Sequence, residues 1–341
     1  MTRPINKIIY LLLLLGAGIL AYSNSFRGAF VFDDEYTILA NPHLKKLWPP
    51  RELFAAPPRS PLKDRPTVNL IMSLNYALGG LDKRWYHAFN LAIHLAAAFL
   101  LFGILRRTFS GPILSSRWGP PASGLAFSIT LIWLIHPLQT ESVTYITQRC
   151  ESLMGLFYLG VIYCLIRSDR SARSRLWLSG GVFLSALGLG AKASMVTVPL
   201  AALAYDRIFL SSSWRGLWRK RKWFYSGLFL TWGVLAGLLL TTSYAEIDKF
   251  TPLQYALTQP GVILHYLKLV FIPLPLCLDY VWPAAADAGE IIPPALAIMG
   301  LLGVTVWLLK KDPPLGYLGL WFFITLAPTS TIMPLLDPAF E

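Results

Sequence analysis

The chain has 341 residues, 55% of them hydrophobic and only 14% charged, with a formal net charge of +12 and a mean hydropathy of +0.52. An ordinary soluble domain carries about 25% charged residues, and a water-facing surface at this length needs more polar area than this composition supplies. The charge alone would suit a nucleic-acid binder, but the basic residues sit in short clusters between long apolar runs, so no nucleic-acid partner is expected and the pattern is one of membrane topology.

A helix needs about 20 apolar residues to cross the hydrocarbon core. Backbone without hydrogen-bond partners is not tolerated there, so the apolar runs are read as helices. In chain order the predicted spans are 8–24, 86–105, 122–138, 151–167, 176–191, 193–210, 223–242, 291–309 and 315–332. The first follows Arg3 and Lys7 and has no small-x-small cleavage site behind it, so it is read as an anchor and not as a signal peptide. Between the first two spans lies a long loop, 25–85, rich in Pro, charge and aromatics. Loops of this length usually have a role. Within it, Leu70 to Leu81 is predicted to be a short helix along the membrane, with a turn at Gly79-Gly80.

The stretch 259–280 is apolar enough to span, but it carries His265, Lys268, Pro273 and Pro275 and runs into Asp279, Tyr280 and Trp282. It is read as a re-entrant or interfacial segment in a loop over 243–290, because only then do Lys310 and Lys311 join the other basic clusters. One side of the membrane then holds 17 of the 30 Lys and Arg residues but 3 of the 18 acids, which places the amino terminus in the cytosol and the carboxyl terminus outside. The basic clusters are expected to rest against anionic headgroups. The expected architecture is an all-α polytopic membrane protein of about 9–10 transmembrane helices, one domain over 1–341, with a large first extracytoplasmic loop.

Three cysteines, Cys150, Cys164 and Cys277, form no CxxC pair and no Cys/His cluster, so neither a disulfide framework nor a zinc site is expected. No Walker, GxGxxG or HExxH motif is present. The residues with chemical potential fall on the side opposite the cations. Phe32-Asp33-Asp34-Glu35 places three carboxylates just beyond the first span. Read from residue type alone, it is either a solvated acidic turn or a source of a general base, with Asp34 as the candidate for a divalent ion such as Mg2+ or Mn2+.

The connection His136-Pro137-Leu138-Gln139-Thr140-Glu141-Ser142 leads to Arg149. Glu141 and Arg149 are eight residues apart and are expected to share one helix face. An arginine here either grips phosphate oxygens through its planar fork or pairs with an acid to hold helices together. Lys192 breaks the positive-inside pattern; it either snorkels or joins Arg65, Lys63, Lys83, Arg84 and Arg149 in binding phosphate. His87 and His94 share a face of the second span and are read as packing residues. Asp337 and Glu341 near the carboxyl terminus add two acids on the same side.

The order of these pieces resembles the membrane domain of TMTC-type proteins and their bacterial relatives, multispanning glycosyltransferases of the GT-C class. The matching features are Phe32-Asp33-Asp34, Arg65-Pro66, Leu74-Asn75-Tyr76 with Gly79-Gly80-Leu81, His87-Ala88-Phe89-Asn90 with His94, and His136-Pro137 through Glu141 and Arg149. The resemblance implies a polyprenyl-phosphate-linked sugar donor, mannose or a similar hexose, and a hydroxyl acceptor such as protein Ser or Thr or a glycan. Transfer would occur outside the cytosol, across a bacterial inner membrane or the endoplasmic reticulum. It implies Asp33, Asp34 and Glu141 as catalytic, one of the Asp pair being the general base, and Arg65, Arg149, Lys192 and His136 around the donor phosphate. Some GT-C enzymes use a divalent ion and others do not. Two features depart from the family pattern: Lys192 is followed by Ala193 where an acid is usual, and the chain stops at Glu341. A polyprenyl-glycan flippase and a non-catalytic membrane scaffold are the competing readings.

Overall fold

The computed structural model describes residues 7–48, 55, 60–241 and 251–330; Asp337 and Glu341 lie outside the described residues. Among the described residues all regular structure is helical. The chain divides into two compact units, Met1–Val198 with Ser213–Thr242, and Pro199–Ser212 with Ser243–Glu341.

The first unit begins with α1 (Lys7–Tyr22), which buries Leu14 and Tyr22 while Ile8, Leu12, Leu13, Ile19 and Leu20 face outward, as a lipid-facing helix does. Two single helical turns, Glu35–Leu39 and Pro42–Lys45, lead to α2 (Pro66–Gly79). The predicted helix over 70–81 therefore starts earlier, at Pro66, whose fixed φ and missing N–H suit the first helical position. It stops where predicted: Gly80 takes φ +57°, a conformation that costs any other residue more. Then come α3 (Lys83–Phe109), the one-turn α4 (Ser115–Trp118) and α5 (Ala122–Ile135). Leu91, Leu95, Ala98 and Phe102 of α3 pack with Leu14 and Tyr22 of α1 and Ala126 and Leu134 of α5 into one apolar core.

The predicted span 122–138 is broken. Proline disfavours helical backbone in the residue before it, and His136 is extended at φ −65°, ψ 133°. Beyond it a short 3-10 turn and α6 (Thr140–Thr144) are bent by 54° from α5. The break takes the Leu138 N–H away from the Leu134 carbonyl and gives it to His136 Nδ1 at 3.2 Å. Tyr22 Oη and His94 Nε2 donate to that carbonyl instead, at 3.2 and 2.9 Å. His94 thus packs between Tyr22 and Trp133, as its position on the helix face predicts.

A non-helical link over 145–148 precedes α7 (Arg149–Asp169) and α8 (Ser174–Leu189). A helical stretch then runs over Ala193–Leu210 and contains α9 (Val198–Tyr205). In α10 (Trp214–Leu230), Lys220 and Arg221 reach Asp169 at 2.8 and 2.5 Å. Thr231 separates it from α11 (Trp232–Thr241), so the predicted span 223–242 is two helices. The second unit holds α12 (Pro252–Phe271), an irregular segment over 272–287, α13 (Ala288–Lys311) and α14 (Pro313–Leu326).

Five helical stretches among the described residues are long and apolar enough to cross a membrane: Lys7–Arg27, Lys83–Phe109, Arg149–Asp169, Ala193–Leu210 and Ala288–Lys311. The bent pair α5 and α6 makes a sixth if it counts as one span. The chain is an integral, multi-pass membrane protein.

Candidate functional site

The acidic run folds into a tight turn. Phe32 adopts φ +48°, a left-handed conformation rare for a bulky residue, and the Asp34 N–H closes on the Val31 carbonyl at 3.0 Å. The turn gives neighbouring carboxylates opposite fates. Asp34 is 1% exposed; its Oδ2 accepts from Val31 N at 3.0 Å, and its Oδ1 accepts from Thr147 N at 2.9 Å and Thr147 Oγ1 at 2.7 Å. Burial pushes its carboxyl above the usual carboxylate range, with the nearby Asp33 charge adding, against the pull of the Val31 and Thr147 donors. With three donors already on it, Asp34 makes a poor ligand for a divalent ion, and no group of three His, Cys, Asp or Glu residues suited to a metal occurs among the described residues. Asp33 is half-exposed, and its Oδ2 accepts from Tyr145 Oη at 3.0 Å. The Tyr145 hydroxyl is pushed well above its usual pKa, chiefly by burial.

Arg149 begins α7 and is fully buried. Its Nε donates to Asn90 Oδ1 at 2.6 Å, and its Nη2 to Asn75 Oδ1 and the Tyr86 carbonyl, both at 2.9 Å. The Tyr86 and Phe89 rings lie 5.7 Å from its guanidinium carbon. These acceptors are neutral, and Nη1 has no hydrogen-bond partner among the described residues. The expected Arg–Glu or Arg–Asp pair is therefore not what holds it. Nor do Glu141 and Arg149 share a helix face: the link 145–148 interrupts the helix between them, and Glu141, exposed in the first turn of α6, accepts from Gln148 Nε2 at 3.1 Å.

Three expected phosphate-binding cations converge on the first turn of α7. Arg65 Nη1 donates to Cys150 Sγ at 2.9 Å, Arg149 lies beside it, and Lys192 Nζ pairs with Glu151 Oε1. Lys192, followed by Ala193, thus finds its acid in Glu151 of another helix. The segments are drawn together by a backbone bond from Thr67 N to Gly190 O at 3.0 Å. A Cβ on Gly190 would come within 2.5 Å of Thr67 Oγ1, so the approach requires glycine there. The N-terminal end of α7 adds its partial positive charge. His136 instead caps its own turn through Nδ1. Tyr145, Thr147, Asn75 and Asn90 carry much of this geometry and were not singled out from sequence. Their signal was available: Tyr145 and Thr147 are polar residues between two spans, and both asparagines fall inside short motifs already noted.

Helices of this length and apolarity, enclosing a buried polar cluster near their ends, define an all-helical polytopic membrane protein. Its sequence is related to that of the TMTC-type protein O-mannosyl-transferases. It is 29% identical over 218 residues to human protein O-mannosyl-transferase TMTC1, covering 59% of this chain and 24% of that protein. It is 30% identical over 212 residues to mouse TMTC1, covering 57% and 21%, and 28% identical over 238 residues to Xenopus laevis tmtc2, covering 64% and 27%. The chain thus spans about a quarter of the length of the curated relatives it matches. No protein-family model and no solved structure matches it.

Proposed function

We propose that this chain is a glycosyltransferase with GT-C-like topology, about 9–10 transmembrane helices in all and a large first extracytoplasmic loop. It moves a hexose, mannose in our reading, from a polyprenyl-phosphate donor to a hydroxyl acceptor such as protein Ser or Thr, on the extracytoplasmic side. The observation that carries the reading is Arg149, a buried cation whose hydrogen-bond acceptors are all neutral, which feels the Asp34 charge without touching it and has one N–H2 group without an acceptor among the described residues. Burying a charge is costly unless something compensates it, and a phosphate supplies both the opposite charge and the missing acceptor. The names of the relatives, protein O-mannosyl-transferases, agree with this chemistry.

In this mechanism the acceptor hydroxyl attacks the anomeric carbon while its proton passes to Asp33 Oδ1, the oxygen that Tyr145 leaves open. The bond from the anomeric carbon to the phosphate oxygen breaks, and its electron pair departs with the polyprenyl phosphate. Arg149, with Arg65 and Lys192 on either side of it, stabilises the charge that develops there. A single displacement inverts the anomeric configuration. Asp34 positions the turn. Glu141 is a second acid on the α6 segment, and His136 fixes the bend that leads to it.

The test is to incubate purified protein with polyprenyl-phosphate sugars and a peptide or glycan acceptor and to count transferred sugar. Asp33→Asn and Asp34→Asn are each expected to abolish transfer while leaving insertion intact. Undiminished transfer by both would overturn the assignment.

A further inference from the structure

We infer that the second unit carries a separate binding site for a hexopyranoside, built around Trp282 and Glu290. Between α12, the loop after it and the start of α13 lies an open cleft of about 420 Å³, lined by Thr258, Trp282, Pro283, Ala285, Glu290 and Pro294 among others. That volume lies within the range of small-molecule sites, about 300–1,000 Å³.

The walls are of two kinds. One is flat and apolar. The Trp282 indole is half-buried and steadied by the ring of His265, 5.1 Å away at 61°, and it packs on the small core of Tyr255 and Val262. The preceding residue, Val281, is held at φ +43°, strained for a β-branched side chain, with its N–H on Asp279 Oδ1 at 2.9 Å. Such strain collects at ligand clamps and persists only where the surroundings enforce it.

The other wall accepts hydrogen bonds. Glu290 receives the Ala286 N–H at 2.9 Å on Oε2, and among the described residues no donor reaches Oε1. Pro294, which also lines the cavity, has no N–H, so the carbonyl of Glu290 loses its partner in the helical ladder. Among the described residues no Lys or Arg lines the cavity. A wall with acceptors and no cation suits a ligand rich in O–H donors and disfavours a phosphate. A single indole face suits the C–H face of a pyranose ring, whereas a quaternary ammonium is usually held by a cage of several aromatics.

The choice of a hexose rests on the transferase reading; the indole and carboxylate chemistry does not. The cavity lies at the end of α13 that carries Asp287 and Glu290, opposite the end with Lys310 and Lys311, so the Lys bias of that span puts it outside the cytosol.

The experiment is saturation-transfer NMR on the whole protein in lipid nanodiscs, with methyl α-mannobioside as the probe and ethanolamine phosphate and tetramethylammonium as competitors. The disaccharide is expected to bind. Trp282→Ala should weaken it by about tenfold or more, Trp282→Phe and Glu290→Gln by less, at unchanged melting temperature. Asp33→Asn should leave it bound. Binding kept by Asp33→Asn with transfer undiminished would sink the catalytic assignment and leave this site standing. No binding to the folded protein, equal binding by Trp282→Ala, displacement by either competitor, or loss of binding in Asp33→Asn would each overturn the Trp282 site.

Discussion

A single oxygen, the Tyr145 hydroxyl, holds both ends of Asp33: it donates to Asp33 Oδ2 at 3.0 Å and accepts from the Asp33 N–H at 3.0 Å. The carboxylate is thereby fixed without being buried. Tyr145→Phe should keep the protein folded and lower transfer roughly tenfold, the scale of one hydrogen bond to a charged group. Asp33→Asn should cost more, ~10²–10⁴-fold, because it removes the proton acceptor itself. Initial rates with both variants, measured on material of equal melting temperature, check the order. A Tyr145→Phe enzyme as inactive as Asp33→Asn would mean that Tyr145 does more than hold the base.

Asp34 makes stability depend on pH. Its folded-state pKa lies above that of an unstructured aspartate, so its contribution is fully present below about pH 3.9 and is lost as the pH rises through the folded value. Asp34→Asn does not titrate. The melting temperature of the wild type relative to Asp34→Asn should therefore be highest in acid, fall as the pH rises, and level off above the folded pKa. Melts in detergent from acid to neutral pH would show it; a difference that grows with pH would reverse the sign and refute the burial.

Arg149 is expected to matter to folding as well as to catalysis. Arg149→Met leaves Asn75 Oδ1, Asn90 Oδ1 and the Tyr86 carbonyl without their donor, at a cost of roughly 3 kcal/mol or more. Arg149→Lys keeps the charge but cannot reproduce the fork, and should recover only part of the melting temperature. With polyprenyl phosphate added, the wild type should gain stability and the lysine variant should gain less.

Topology can be read from a native thiol. Cys277 is exposed, whereas Cys150 and Cys164 are buried. A membrane-impermeant maleimide should label Cys277 in intact cells or right-side-out vesicles, and should label a cysteine placed at Glu35 from the same side. Labelling that appears only after permeabilisation would put the acidic turn and the Trp282 cavity on the wrong side.

The membrane class, the long helices and the turn at Gly80 follow from apolar runs and from backbone chemistry that each residue carries by itself, whereas the span expected over 122–138 runs through Pro137, where the helix breaks. The positions of Asp33, Arg149 and Lys192 as polar residues near span ends were equally legible. What each of them bonds was not. Tyr145 and Asp33 are 112 residues apart, and Arg149 and Asn75 are 74 apart, and no local periodicity relates them. The expectation that Glu141 and Arg149 share a face failed for a related reason. Spacing assumes an unbroken helix, and the link is held open by Asp34, which takes the Thr147 N–H for itself.

That bond also constrains biogenesis. Asp34 leaves the ribosome long before Thr147, and until the later segment has inserted, the carboxylate has neither of its Thr147 donors. An amino-terminal fragment ending before the 145–148 link therefore has the acids but not the donors that hold them. The buried turn is closed only by a segment made 113 residues after it, so its two halves must meet across the first spans before either is fixed.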